Sequence, residues 1–152
     1  MIDTHSREQL RLAYAQAWAK YLARSPLTPL EALITDVIGA HPEYQNIVAD
    51  SAAALAFEPN AAGGQENPFL HMGLHLAVRE QASIDRPPGV RQLLQEFATR
   101  EGDAHEAEHV LMEALGEVLW EAQRNGRTPD ENEYLRLARL RLARLGALKP
   151  KG

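Results

Sequence analysis

The sequence has 152 residues, 45% of them hydrophobic and 24% charged, with a formal net charge of −5 and no cysteine. That length fits one domain built on one core, and the lack of cysteine excludes disulfides, thiolate ligands and cysteine nucleophiles, so any metal must be held by His, Asp or Glu. No run approaches the roughly 20 apolar residues that span a bilayer, and the opening MIDTHSREQL lacks the charged-then-apolar layout of a signal peptide, so a cytoplasmic protein with no membrane contact is expected.

In chain order, helix starts are signalled by capping boxes, in which a Ser, Thr or Asp side chain accepts from a free N–H and a Glu or Gln three residues on reciprocates. Ser6-Arg7-Glu8-Gln9 opens the first predicted helix, whose stripe Leu10, Tyr14, Ala17, Trp18, Tyr21 and Leu22 keeps the 3.6-residue period and stops before Pro26. Thr28-Pro29-Leu30-Glu31 opens the second, with Leu30, Leu33, Ile34, Val37 and Ile38 inward and Gly39 as its end. A third helix is predicted from Pro42, carrying Tyr44, Ile47, Val48, Ala52 and Leu55. The Pro, Asn and Gly punctuation of 57–66 then reads as the longest internal loop.

Asn67-Pro68 starts a fourth helix, from Phe69 to about Ser83, with Leu70, Leu74, Ala77 and Val78 on one face and Phe69, Met72 and Leu76 on another. Two apolar faces suit a central helix. Pro87-Pro88-Gly89 leads into a shorter helix with Val90, Leu93, Leu94 and Phe97, ending at Gly102. Asp103-Ala104-His105-Glu106 boxes the next, which runs to an Asn125-Gly126 stop. Thr128-Pro129-Asp130-Glu131 boxes the last, with 147–152 as a flexible tail. No segment reads as a strand. The expected architecture is all-α, an irregular helical bundle of six to seven helices in a single domain, 1–152.

Histidine is the informative residue. Side chains four apart on a helix stand one above the other, so His71/His75 and His105/His109 form two imidazole pincers. Both lie beside apolar stripes, so helices packed through those stripes would converge four imidazoles on one divalent ion, an N-rich set that Zn²⁺ accepts and that leaves Fe open. Glu113 continues the 105, 109, 113 ladder, as a further ligand or as an acceptor that orients His109. Gly116 on the same face would let another backbone approach. His105-Glu106-Ala107-Glu108-His109 also satisfies the His-Glu-x-x-His pattern, in which Glu106 would act as general base on a metal-bound water. Only three residues of that pattern are fixed, and there is no neighbouring strand to seat a peptide. The competing structural reading makes these histidines boundary residues bonded to nearby carboxylates. His5 and His41 read as cap or loop residues, although His41 stands where it could approach the cluster from a neighbouring helix.

Taken together, Asn67-Pro68-Phe69-Leu70-His71-Met72-Gly73-Leu74-His75, Gly102-Asp103-Ala104-His105-Glu106-Ala107-Glu108-His109, His41-Pro42-Glu43-Tyr44 and Leu119-Trp120-Glu121-Ala122-Gln123-Arg124 give the chain a resemblance to a bacterial family catalogued as a domain of unknown function, number 1841 (DUF1841). The resemblance implies a proteobacterial-type cytoplasmic protein. It implies no activity and transfers no catalytic residue.

The functional expectation is therefore a metal-binding helical protein, with one divalent ion on the paired histidines. If one position stays open for water, hydrolysis of a small-molecule or peptide substrate becomes available. A di-iron redox or oxygen-binding bundle is a weaker expectation, because only Glu106-x-x-His109 matches the Glu-x-x-His element such sites use twice. A non-catalytic interaction module with a structural histidine network is the third. The last stretch carries Arg136, Arg139, Arg141, Arg144, Lys149 and Lys151 with no interleaved aromatic, which suits a solvated helix end better than nucleic acid. A homodimer is compatible with all of these.

Overall fold

Which residues cap and which ones bury decide every helix boundary in the computed structural model, which describes residues 4–57 and 67–148, with the side chains of 7–57, 67–100 and 102–144. The chain is all-α, as expected, and the described residues contain seven α-helices and no strand: α1 Thr4–Leu22, α2 Pro29–Gly39, α3 Ser51–Ala56, α4 Pro68–Ile84, α5 Val90–Glu101, α6 Ala104–Asn125 and α7 Glu131–Leu148, with a 3₁₀ turn at Pro42–Tyr44. No helix among these residues is long and apolar enough to cross a membrane. The chain divides into two compact units, Met1–Leu76 and Ala77–Gly152, with the boundary inside the continuous helix α4.

In the first unit, α1 begins at Thr4, so Ser6 lies within the helix instead of capping it. Its other end is a reversal with Arg24 at φ +58°, where Ser25 N–H donates to Lys20 O at 2.9 Å and ties off a terminal carbonyl. The Thr28–Glu31 box is complete. Glu31 N–H donates to Thr28 Oγ1 at 3.1 Å, and Thr28 N–H donates to Glu31 Oε1 at 2.9 Å. The Lys20 ammonium and the Thr28 N–H hold the Glu31 carboxyl below the usual carboxylate range.

The helix predicted from Pro42 is replaced by the 3₁₀ turn and the short α3. The physical reason is Asp50. Its backbone is extended, at φ −152° and ψ 170°, and its carboxylate accepts from Ala53 N–H at 2.7 Å, so it ends one helical path and caps a new one. Arg11 on α1 anchors the far end of α3 by donating to Phe57 O at 2.6 Å and Ala54 O at 3.1 Å, with its guanidinium 4.7 Å from the Phe69 ring centre. Tyr14, Trp18, Val37, Ile38, Phe69 and Met72 form much of the core beneath it. Leu10, Tyr21 and Leu70, expected inside, are exposed, Leu70 at 56%. The loop expected over 57–66 lies outside the described residues from 58 onward.

In the second unit, the last turns of α4 run with α5, α6 and α7 around Val78, Phe97, Leu111, Leu115, Tyr134 and Ala138. Gly102 and Gly126 close α5 and α6 in the left-handed region, at φ +72° and +63°. The final helix is capped by Asp130 rather than Thr128, because the Asp130 carboxylate accepts from both Asn132 N–H at 2.9 Å and Glu133 N–H at 3.2 Å. Tyr134 donates its hydroxyl to Gln81 Oε1 at 2.7 Å, and burial raises its ionisation far above the ordinary phenol range. Since α7 continues through Leu148, the predicted tail begins inside the helix. Residues 149–152 lie outside the described residues.

Candidate metal centre

In the first unit α4 places His71 and His75 on one face, with ring centres 4.9 Å apart. His75 is fully buried. The residue that sequence periodicity left out is His41. It follows α2 at the entrance to the 3₁₀ turn, is 4% exposed, and sets its ring centre 5.0 Å from that of His71 and 4.8 Å from that of His75. Its own position is fixed twice. Nδ1 donates to Val37 O at 2.7 Å, and the ring stacks on Tyr44 at 5.1 Å with planes 7° apart. A carbonyl only accepts, so Nδ1 carries hydrogen and Nε2 is the ring nitrogen that can take a cation. Three imidazoles bound about 2.1 Å from one tetrahedral ion have ring centres roughly 5 Å apart. The three rings of this unit already stand at that spacing.

In the second unit α6 starts at the Asp103 cap, whose carboxylate accepts from His105 N–H at 2.8 Å, so both histidines of the second pincer fall in the first two turns. Their ring centres are 4.4 Å apart. Glu106 reaches forward to place Oε1 3.6 Å from His109 Nδ1 while remaining exposed to solvent. Glu108 turns the other way. Only 7% exposed, it accepts from Arg79 Nε at 2.9 Å and from Arg79 Nη2 at 3.1 Å. Glu113 accepts from Arg141 Nη1 at 2.8 Å, and Arg141 Nη2 also donates to Glu117 at 3.3 Å. Arg136 is likewise engaged by Glu133, so part of the basic run on α7 is neutralised by glutamates.

His71 and His75 thus share one face of α4, and His105 and His109 the first two turns of α6. In the first unit the imidazoles brought together are those of His41, His71 and His75, and in the second those of His105 and His109. The sequence offered His41 only as a cap or loop residue that could approach the cluster, because it sits in a connection with no 3.6-residue ladder. The signal that could have found it was the His-Pro step directly after a helix end, which pins the backbone that carries the ring.

No curated protein and no solved structure matches the chain. The family model described as "Domain of unknown function (DUF1841)" matches residues 6–140 of 152, a span that takes in the 3₁₀ turn with His41, both pincers and the Arg79–Glu108 pair, and the chain belongs to that family.

Proposed function

We propose that this protein binds one divalent metal ion, Zn²⁺ in the first instance, through His41, His71 and His75 of the first unit. The observation that carries the reading is the set of three imidazoles in the first unit, spaced 4.8–5.0 Å centre to centre, one of them held in the right tautomer by a backbone carbonyl. Imidazole-only sets suit Zn²⁺ and the later first-row ions better than Mg²⁺ or Ca²⁺, which want oxygen. They also argue against the carboxylate-bridged di-iron alternative.

With four imidazoles bound the ion is structural. With three, the open position takes water, which a hydrolytic reaction on a small molecule or peptide would use.

Elemental analysis of the purified full chain tests this, run beside His75→Ala and the His105→Ala/His109→Ala double variant. One ion per chain, lost from His75→Ala and retained in the double variant, supports a site on His41, His71 and His75. No ion in the wild type, even after reconstitution with Zn²⁺ or Fe²⁺, ends the metal reading.

A further inference from the structure

We propose that Tyr44 is a positioning residue of the first unit's metal centre, its ring bracing two of the three imidazoles by lying flat on His41 and meeting His71 edge-on. The inference rests on the metal-binding reading above and concerns residues of the first unit alone.

The local backbone builds the contact. Tyr44 N–H donates to His41 O at 2.9 Å, closing the 3₁₀ turn Pro42–Tyr44. At three residues per turn, side chains three apart eclipse, so His41 and Tyr44 stand at the same angle around the turn axis. In an α-helix the same pair would be offset by about 60°. Eclipsing lets the two flat rings lie against each other. Their centres are 5.1 Å apart and their planes 7° from parallel, the geometry of an offset stack. The helix expected from Pro42 would lack this register, so the 3₁₀ turn does more than connect α2 to α3.

The same ring meets a second ligand. His71 stands 6.1 Å from Tyr44, centre to centre, with planes at 75°, and 5.0 Å from His41 at 80°. Tyr44 therefore ties the imidazole carried by the connection to one carried by α4. The bond from His41 Nδ1 to Val37 O sets the tautomer but leaves the ring free to turn about the N–H···O line. A flat stack removes that freedom, so less ordering is left for the moment of binding.

Loading the site strengthens the brace. A ring nitrogen that shares its lone pair with a divalent ion leaves the imidazole electron-poor, and the negative face of a phenol ring attracts such a partner. An aliphatic side chain at position 44 would still pack against the core as Tyr44 does, but would supply neither the flat face nor this attraction.

Three variants separate positioning from packing. Tyr44→Phe keeps the ring. Tyr44→Leu and Tyr44→Met fill the space without one, and the unbranched Met adapts to the gap where Leu disturbs the fold. Each full-length protein is titrated with Co²⁺, reading the visible absorption bands and the dissociation constant, with thermal melting of the metal-free form in parallel. The expected result is Co²⁺ binding weaker by about 10- to 100-fold in the aliphatic variants, the loss seen when residues behind metal ligands are changed, together with altered bands. Tyr44→Phe should restore wild-type affinity and bands. A folded aliphatic variant with wild-type affinity and bands would overturn the inference and leave the metal reading intact, as would a Tyr44→Phe variant impaired to the same degree. Binding lost only in proportion to lost folding would also overturn it and reduce Tyr44 to a core contact. A wild type that binds no Co²⁺ would overturn both.

Discussion

Tyr14 offers the sharpest quantitative test of the first unit's core. Its ring is fully buried against Phe69, at 5.7 Å between ring centres, and its hydroxyl has no hydrogen-bond partner among the described residues. Gly73 turns a bare backbone towards it, so that a Cβ there would stand 3.9 Å from the oxygen. An unsatisfied buried hydroxyl costs about 1–3 kcal/mol, and Tyr14→Phe removes that cost for the loss of a few contacts. The variant should therefore match or exceed wild-type stability at pH 7, by about 1 kcal/mol.

The pH dependence sharpens this. Burial pushes the Tyr14 phenol up to about 12, against about 10 in an unfolded chain. Between those values the unfolded state has released a proton that the folded state still holds, so unfolding is favoured as pH rises. The stabilising contribution is complete below pH 10 and is lost on the way to 12, at about 1.4 kcal/mol per pH unit and so about 3 kcal/mol in all. Urea unfolding at pH 7, 10 and 11 should show Tyr14→Phe gaining on wild type by about 1.4 kcal/mol for each pH unit above 10, while Tyr134, also raised by burial, keeps both proteins sloping downward. A variant more than about 1 kcal/mol less stable at pH 7 with an unchanged m value, or a gap that does not widen above pH 10, would refute the reasoning.

Removing one cap should lower stability, and removing one surface acid should leave it nearly unchanged. Thr28→Ala opens the box at the start of α2, whose two bonds are 2.9 and 3.1 Å, and should cost about 1 kcal/mol in urea unfolding with metal content unchanged. Glu113→Gln, at a side chain held by Arg141, should change stability by less than about 0.5 kcal/mol and leave bound metal per chain at the wild-type figure; a halved metal content would restore Glu113 as a ligand.

How legible the molecule was in its sequence depended on whether a signal was local. The boxed start of α2, the Asp103 cap of α6 and the glycine stops at 102 and 126 involve residues within one turn of each other, and they stand where periodicity put them. The Thr128 box fails because Asp130, two residues later, caps more directly. The segment 42–56 fails because its apolar spacing is helical while Asp50 offers the backbone a competing bond. In the site, both pincers were visible as four-residue repeats. His41 and the partner of Glu108 were not, because both depend on which distant turn lies opposite, a fact that no window along one chain contains.

Helix α4 carries residues of both units without a break. Its turns behave as a ruler: one residue inserted between His75 and Arg79 would turn the later residues of α4 by about 100° against the earlier ones and advance them by about 1.5 Å. The imidazole rungs and the guanidinium would then point to different sides. Substitutions inside that interval can be absorbed by neighbouring side chains, but a change in its length has nowhere to dissipate. Tolerance to insertion should therefore collapse between positions 75 and 79 even where tolerance to replacement is high, a contrast that a systematic insertion scan would expose more sharply than any set of point variants.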